Sequence, residues 1–234
     1  MNPTVSPQQQ PKPTSGFRLV ATLGLIALFS GLLVVSVYEY TRPFIDQNQQ
    51  RALEDAVLEV IPGAETRRSF ELTDDGLTPR DEAAESGRTV YAAYDADGSL
   101  AGVALEASGR GYADVIRILY GYDPECRCIV GMTVLESRET PGLGDKIETE
   151  PHFLESLQGL EARLNDQGTG LAHRIRTVDQ GEADDPWEID GITGATISSE
   201  AIGDMIHDSA DAMLPRLAPH WDTLRRAGPR PAQP

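Results

Sequence analysis

The chain has 234 residues, with 37 acidic and 20 basic side chains and a formal net charge of −17. That length suits one folded domain with appendages rather than two large domains. The charge excludes a nucleic-acid-binding surface, which needs clustered Lys and Arg, and opposes lying flat on an anionic membrane.

Residues 1–16 are rich in Pro and Gln and are expected to be a disordered cytoplasmic tail. Residues 17–40 are expected to form a transmembrane helix. The run LVATLGLIALFSGLLVVSVY at 19–38 carries no charge, and at about 1.5 Å per residue it spans roughly 30 Å, one bilayer core. No small-residue cleavage site follows, so the segment reads as an uncleaved anchor. Lys12 and Arg18 precede it without an acid, which keeps the N-terminus in the cytoplasm; Arg42 weakens this bias without reversing it. Tyr38 and Tyr40 belong at the outer headgroup level, and the body lies outside, in a periplasm or its equivalent.

Residues 41–87 form a connecting segment. A helix is expected over 45–61, with Leu53, Val57 and Val60 apolar and a stop at Pro62-Gly63; 64–87 reads as irregular or edge structure. From residue 88 the period changes to that of strands, expected at 89–94, 100–106, 113–120 and 128–135, with turns at Asp97-Gly98 and near 122–125. Four such strands in a row make an antiparallel, half-buried sheet. Cys126 and Cys128 are too few for a structural zinc site. They read as incidental cysteines of a hairpin turn, with a strained, reducible disulfide as the alternative.

The segment ETPGLG at 139–144 predicts a type II turn over 140–143, because Pro141 and Gly142 fill its central positions. A short helix is expected over 151–164, then an acidic loop over 166–186 with one strand near 174–178. From Ser198 a helical period returns. Ile202, Met205, Ile206, Ala210 and Met213 form its apolar stripe, and Glu200, Asp204, Asp208 and Asp211 face solvent. Pro215 should end or kink this helix, and 218–234 is expected as a C-terminal tail. Strands followed by helices indicate an α+β domain over 88–217.

The chemistry centres on DGITGATISS at 190–199. It offers an unhindered hydroxyl, Thr196, on a glycine-containing turn before a helix N-terminus, where backbone N–H groups and the helix dipole favour a phosphate. Taken alone, Thr196 reads more readily as an N-cap. A threonine hydroxyl needs an activating base, and neither His173 nor His207 is placed near it by any pattern, so no residue of this chain is assigned a catalytic role.

DGITGAT resembles the Asp-x-x-Ser/Thr-Gly-Ala-Thr flavinylation motif of membrane-bound redox subunits. With SGRGY at 108–112, the strand IRILYGY at 116–122 and ETPGLG, the chain from about residue 17 to 214 resembles the G subunit family of Rnf ion-translocating ferredoxin:NAD oxidoreductases. The related C subunit of the sodium-pumping NADH:quinone reductase (Nqr) shares the span and both motifs; the wording ETPGLGDKI leans toward the Rnf type.

The resemblance implies an electron-transfer subunit carrying FMN as a phosphoester on Thr196. A separate flavin transferase would install it, with Asp190 and Thr193 belonging to the motif used in that transfer. Gly194, Ala195, Ile197 and Ser198 would surround the attachment, and the amides of 197–199 would take phosphate oxygens. Thr140, Leu143 and Gly144 would lie against the isoalloxazine. Lys146 would stabilise reduced flavin, or is simply a solvated amine. The implied partners are the other subunits of a membrane redox complex. The alternatives are an Nqr C subunit, a stand-alone FMN module, or a tethered binding module in which Thr196 only caps a helix. The chain departs from the family wording in Thr193, usually Ser, in a long acidic loop at 165–188, and in its Cys-Arg-Cys.

Overall fold

The computed structural model describes residues 16–73, 76–80 and 89–229. The expected tail at 1–15, part of the edge segment and residues 230–234 lie outside the described residues. The chain divides into two units, residues 1–49 and 50–234.

A single helix, α1 (Gly16–Val60), replaces the two expected separately at 17–40 and 45–61. Pro43 interrupts only one rung of its hydrogen-bond ladder, and the helix continues through it. Within the first unit its apolar side chains, among them Leu23, Ile26, Phe29 and Leu33, are exposed. Among the described residues this is the one helix long and apolar enough to cross a membrane.

The second unit is built on seven strands: β1 (Thr66–Thr73), β2 (Gly76–Arg80), β3 (Thr89–Tyr94), β4 (Leu100–Arg110), β5 (Val115–Asp123), β6 (Cys128–Glu136) and β7 (Leu160–Glu161). They form one antiparallel sheet in the order β2-β1-β3-β4-β5-β6-β7. The polar segment after residue 64 thus supplies the edge pair β1–β2.

The sheet is half-buried toward its edge at β1, but not at its middle. Every residue of β3 is buried, because apolar groups cover both faces. Val90, Ala92 and Tyr94 face the main core with Ile118, Ile202 and Ile206. Tyr91 and Ala93 point the other way, against Ala56, Val57, Val60 and Ile61 at the end of α1. Alternation along the strand serves two cores at once.

Over the main core lies α3 (Thr196–Leu217). Ile202, Met205, Ile206 and Ala210 are buried as expected, Met213 packs against the core partly buried, and Leu214 and Leu217 extend the stripe. Asp211 is not simply solvated: it accepts a 2.7 Å hydrogen bond from the Leu171 amide. Pro215 lies two residues before the helix end. The tail assigned to 218–234 is ordered at its start, where α4 (Trp221–Arg226) buries Leu224. The Leu224 carbonyl accepts from the Tyr94 hydroxyl at 2.9 Å, and burial pushes that phenol up to about 12.

The helix expected over 151–164 is only α2 (Pro151–Ser156). The rest turns back to pair β7 with β6, which covers the sheet edge that a longer helix would leave open. A small parallel sheet joins β8 (Arg176–Val178), expected, to β9 (Glu188–Asp190), unforeseen just after the acidic loop. Cys126 and Cys128, read as incidental, are joined in a disulfide with their Cα atoms 5.2 Å apart.

Candidate functional site

The site forms where three loops meet at the N-terminus of α3. The first follows β4, at residues 111–114, the second is the turn over 140–143 and the third is the turn leading into Thr196. Ala195 N–H donates to the Ile192 carbonyl at 2.9 Å with Gly194 at φ +84. This tight turn delivers the chain into α3 and leaves Thr196 and Ile197 exposed.

No side chain among the described residues caps this helix. Ala195 occupies the N-cap position without a side-chain hydrogen bond. The first backbone bond inside the helix runs from Ser199 N–H to Ala195 C=O, 2.9 Å. The amides of Thr196, Ile197 and Ser198 therefore precede the helical ladder. The Ser199 amide, which sequence reasoning grouped with the phosphate-binding set, is already used. The Thr196 hydroxyl has no hydrogen-bond partner among the described residues, so it is not serving as an N-cap.

The turn over 140–143 is type II, as expected: Leu143 N–H donates to Thr140 C=O at 3.0 Å, with Gly142 at φ +79. A short 3-10 helix, Gly144–Glu148, follows. It carries Lys146 toward the motif, with Nζ 3.8 Å from the point where a side chain on Gly194 would begin. Lys146 thus sits beside the turn that leads into Thr196.

Glu139 is the organising residue, and sequence reasoning gave it no role although it opens ETPGLG. It is buried. Its Oε2 accepts from Ser198 Oγ at 2.8 Å and its Oε1 from the Ala113 amide at 3.0 Å. One carboxylate thereby ties α3 to the 111–114 loop, and two glycines make room for it. A Cβ on Gly144 would stand 2.8 Å from Glu139 Cβ, and one on Gly111 would collide with Glu139 and Ile116. An acid with one glycine before it and one after it, at 111 and 144, was the available signal, but only tertiary contact gives it meaning.

Asp190 sits at the end of β9, where its carboxylate accepts from the Gly181 amide and its own amide donates to Ser156 Oγ at 3.1 Å. Thr193 is exposed, and its amide donates to Gln180 Oε1 at 3.3 Å. Just before it, Glu188 accepts from Arg176 Nε at 2.9 Å and from the amides of Asp184 and Asp185. The Arg176 guanidinium, with those amides, holds the Glu188 carboxyl below the usual carboxylate range.

Four large apolar residues of the second unit are strongly exposed: Tyr112, Val115, Leu143 and Ile197. Tyr112 and Leu143 lie on the loops that Glu139 draws together, Val115 opens β5 and Ile197 stands in the first turn of α3. A free hydroxyl, unpaired amides, a nearby cation and an apolar rim suit a phosphate-linked aromatic cofactor.

Residues 111–211 match the FMN-binding domain family. The chain is 28% identical over 197 residues to the G subunit of the ion-translocating oxidoreductase complex of Methanosarcina acetivorans, covering 83% of this chain and 92% of that one. It is 33% identical over 186 residues to the corresponding G subunit of Cereibacter sphaeroides, covering 79% and 78%. Its fold is similar to the crystal structure of NqrC from Shewanella oneidensis, with a TM-score of 0.56 and 18% identity over 77% of this chain and 100% of that one.

Proposed function

This chain belongs to the G subunit family of ion-translocating oxidoreductase complexes, and on that premise we propose that it is a membrane-anchored electron-transfer subunit carrying FMN as a phosphoester on Thr196. The observation that carries the reading is the Thr196 hydroxyl, exposed and unpartnered at an uncapped helix start. A hydroxyl with a structural duty would be hydrogen-bonded; this one is free to be esterified.

Bound there, FMN supplies the redox chemistry, while the protein supplies placement and electrostatics. The amides of Thr196, Ile197 and Ser198 hold phosphate oxygens, aided by the positive end of the α3 dipole. Lys146, beside Gly194, adds a positive charge at that end. Leu143 and Ile197 offer an apolar surface to the isoalloxazine, and Thr140 and Gly144 line its approach. Asp190 shapes the turn that a flavin transferase reads, together with Thr193.

The exposed stretch of α1 anchors the subunit, with the N-terminus cytoplasmic and the body on the outer side, among the other subunits of the redox complex. An attached cofactor suits that compartment, because lost FMN is not readily replaced there.

The test is co-expression with a flavin transferase followed by in-gel flavin fluorescence after denaturation. The wild-type band fluoresces and T196A is dark, while T196S retains signal. A dark wild-type band overturns the reading.

A further inference from the structure

The disulfide joining Cys126 and Cys128 lies apart from the flavin site. It closes the β5–β6 hairpin at the end where Asp123 pairs with Cys128, whereas the site lies beyond the other end, where Arg117 pairs with Glu136. The length of β6 separates the two, roughly 25 Å at strand rise. From these features we propose that the Cys126–Cys128 bond is a redox-active disulfide that exchanges with an external dithiol.

Three observations support it. Cys126 is exposed at the hairpin tip, while Cys128 is buried on β6, so an incoming thiolate reaches one sulfur and not the other. The bridge spans a single residue, Arg127, which is the one non-glycine with positive φ among the described residues, at +57. A hairpin would place glycine or asparagine there without strain; here an arginine takes that conformation between the two bonded cysteines. Finally, the Arg127 backbone is a joint of the fold. Its amide donates to Asp123 C=O at 2.9 Å and its carbonyl accepts from the Ala162 amide at 3.0 Å, so the state of the bond is felt where β7 docks on β6.

The exchange balances. A partner thiolate attacks Cys126 Sγ, the Cys126–Cys128 bond breaks, and Cys128 leaves as a thiolate. The partner's second thiol then attacks the mixed disulfide and frees Cys126. The partner ends as a disulfide, and this chain gains two electrons and two protons. The inference rests on the body lying outside the cytoplasm, where such a bond persists, and is independent of the flavin.

The experiment uses the full-length protein in detergent, equilibrated with a glutathione buffer of cytosolic poise. Acid quenching, N-ethylmaleimide alkylation and intact-mass analysis then count free thiols. Ordinary structural disulfides resist this buffer. The expected result is few alkylated chains before treatment and a majority doubly alkylated after it, with unchanged circular dichroism; a C126S/C128S variant takes up no label. Two free thiols in the protein as isolated, or a bond that opens only on unfolding, overturns the proposal. In-gel flavin fluorescence on the same samples reports separately on Thr196, so either reading can fail without the other.

Discussion

The Ser198 hydroxyl donates a 2.8 Å hydrogen bond to the Glu139 carboxylate, joining residues 59 positions apart. The same carboxylate holds the Ala113 amide, so removing it strands the buried Ser198 hydroxyl and releases the loop at Ala113. Glu139→Ala is expected to cost about 2–4 kcal/mol and to reduce flavin loading. Glu139→Gln keeps one acceptor for Ala113 and offers its amide to the Ser198 oxygen, so most of the stability returns. Urea unfolding with in-gel fluorescence checks both; a fully stable Glu139→Ala variant would contradict the role assigned to this residue.

Gly144 and Gly111 leave room for that carboxylate. A methyl group at either position forces the loop away, at about 1–3 kcal/mol. Gly142 faces open space at φ +79. Alanine there costs about 1 kcal/mol through left-handed backbone strain alone. Flavin yield is expected to fall strongly in Gly144→Ala and only weakly in Gly142→Ala, by absorbance per mole of protein.

Lys146 sits beside Gly194. Replacing it with Met removes a positive charge and disfavours the more negative, reduced flavin, so the midpoint potential should fall. An interaction of roughly 1 kcal/mol through partly exposed protein corresponds to about 40 mV for one electron. Leu143→Ala should shift the potential or the occupancy while leaving flavin bound. Spectroelectrochemical titration reads both, and wild-type values in Leu143→Ala would remove that loop from the cofactor's surroundings.

Arg176 and Glu188 bind β8 to β9 immediately before the motif. Because the folded carboxyl titrates below its ordinary value of 4.5, the unfolded chain binds more protons in acid. The stabilisation is therefore complete above about 4.5 and is lost as the pH falls through the lower folded value. Glu188→Gln should lose stability at neutral pH and show a flatter acid limb in urea midpoints. An acid limb as steep as wild type would show that this pair does not report on acid unfolding.

The fold was legible where periodicity is local. The four strands from residue 89 and the stripe of α3 follow from spacing, and the 140–143 turn from Pro141-Gly142. What escaped depends on partners far away in sequence. β3 is buried on both faces because residues 56–61 return to cover it, and β9 escaped notice after the acidic loop because three residues give no periodic signal. The Thr196 motif was visible because its residues are contiguous. Glu139 was visible only as part of a turn, since its work is done with Ala113 and Ser198.

The surroundings of Thr196 are assembled from segments that meet only in the finished tertiary structure. In an emerging or unfolded polypeptide the short peptide DGITGAT exists, but the clasp beneath it does not. On the proposed reading, a modifying enzyme that senses more than that heptapeptide would meet its target only once the fold is complete, and cofactor attachment would then report on correct maturation.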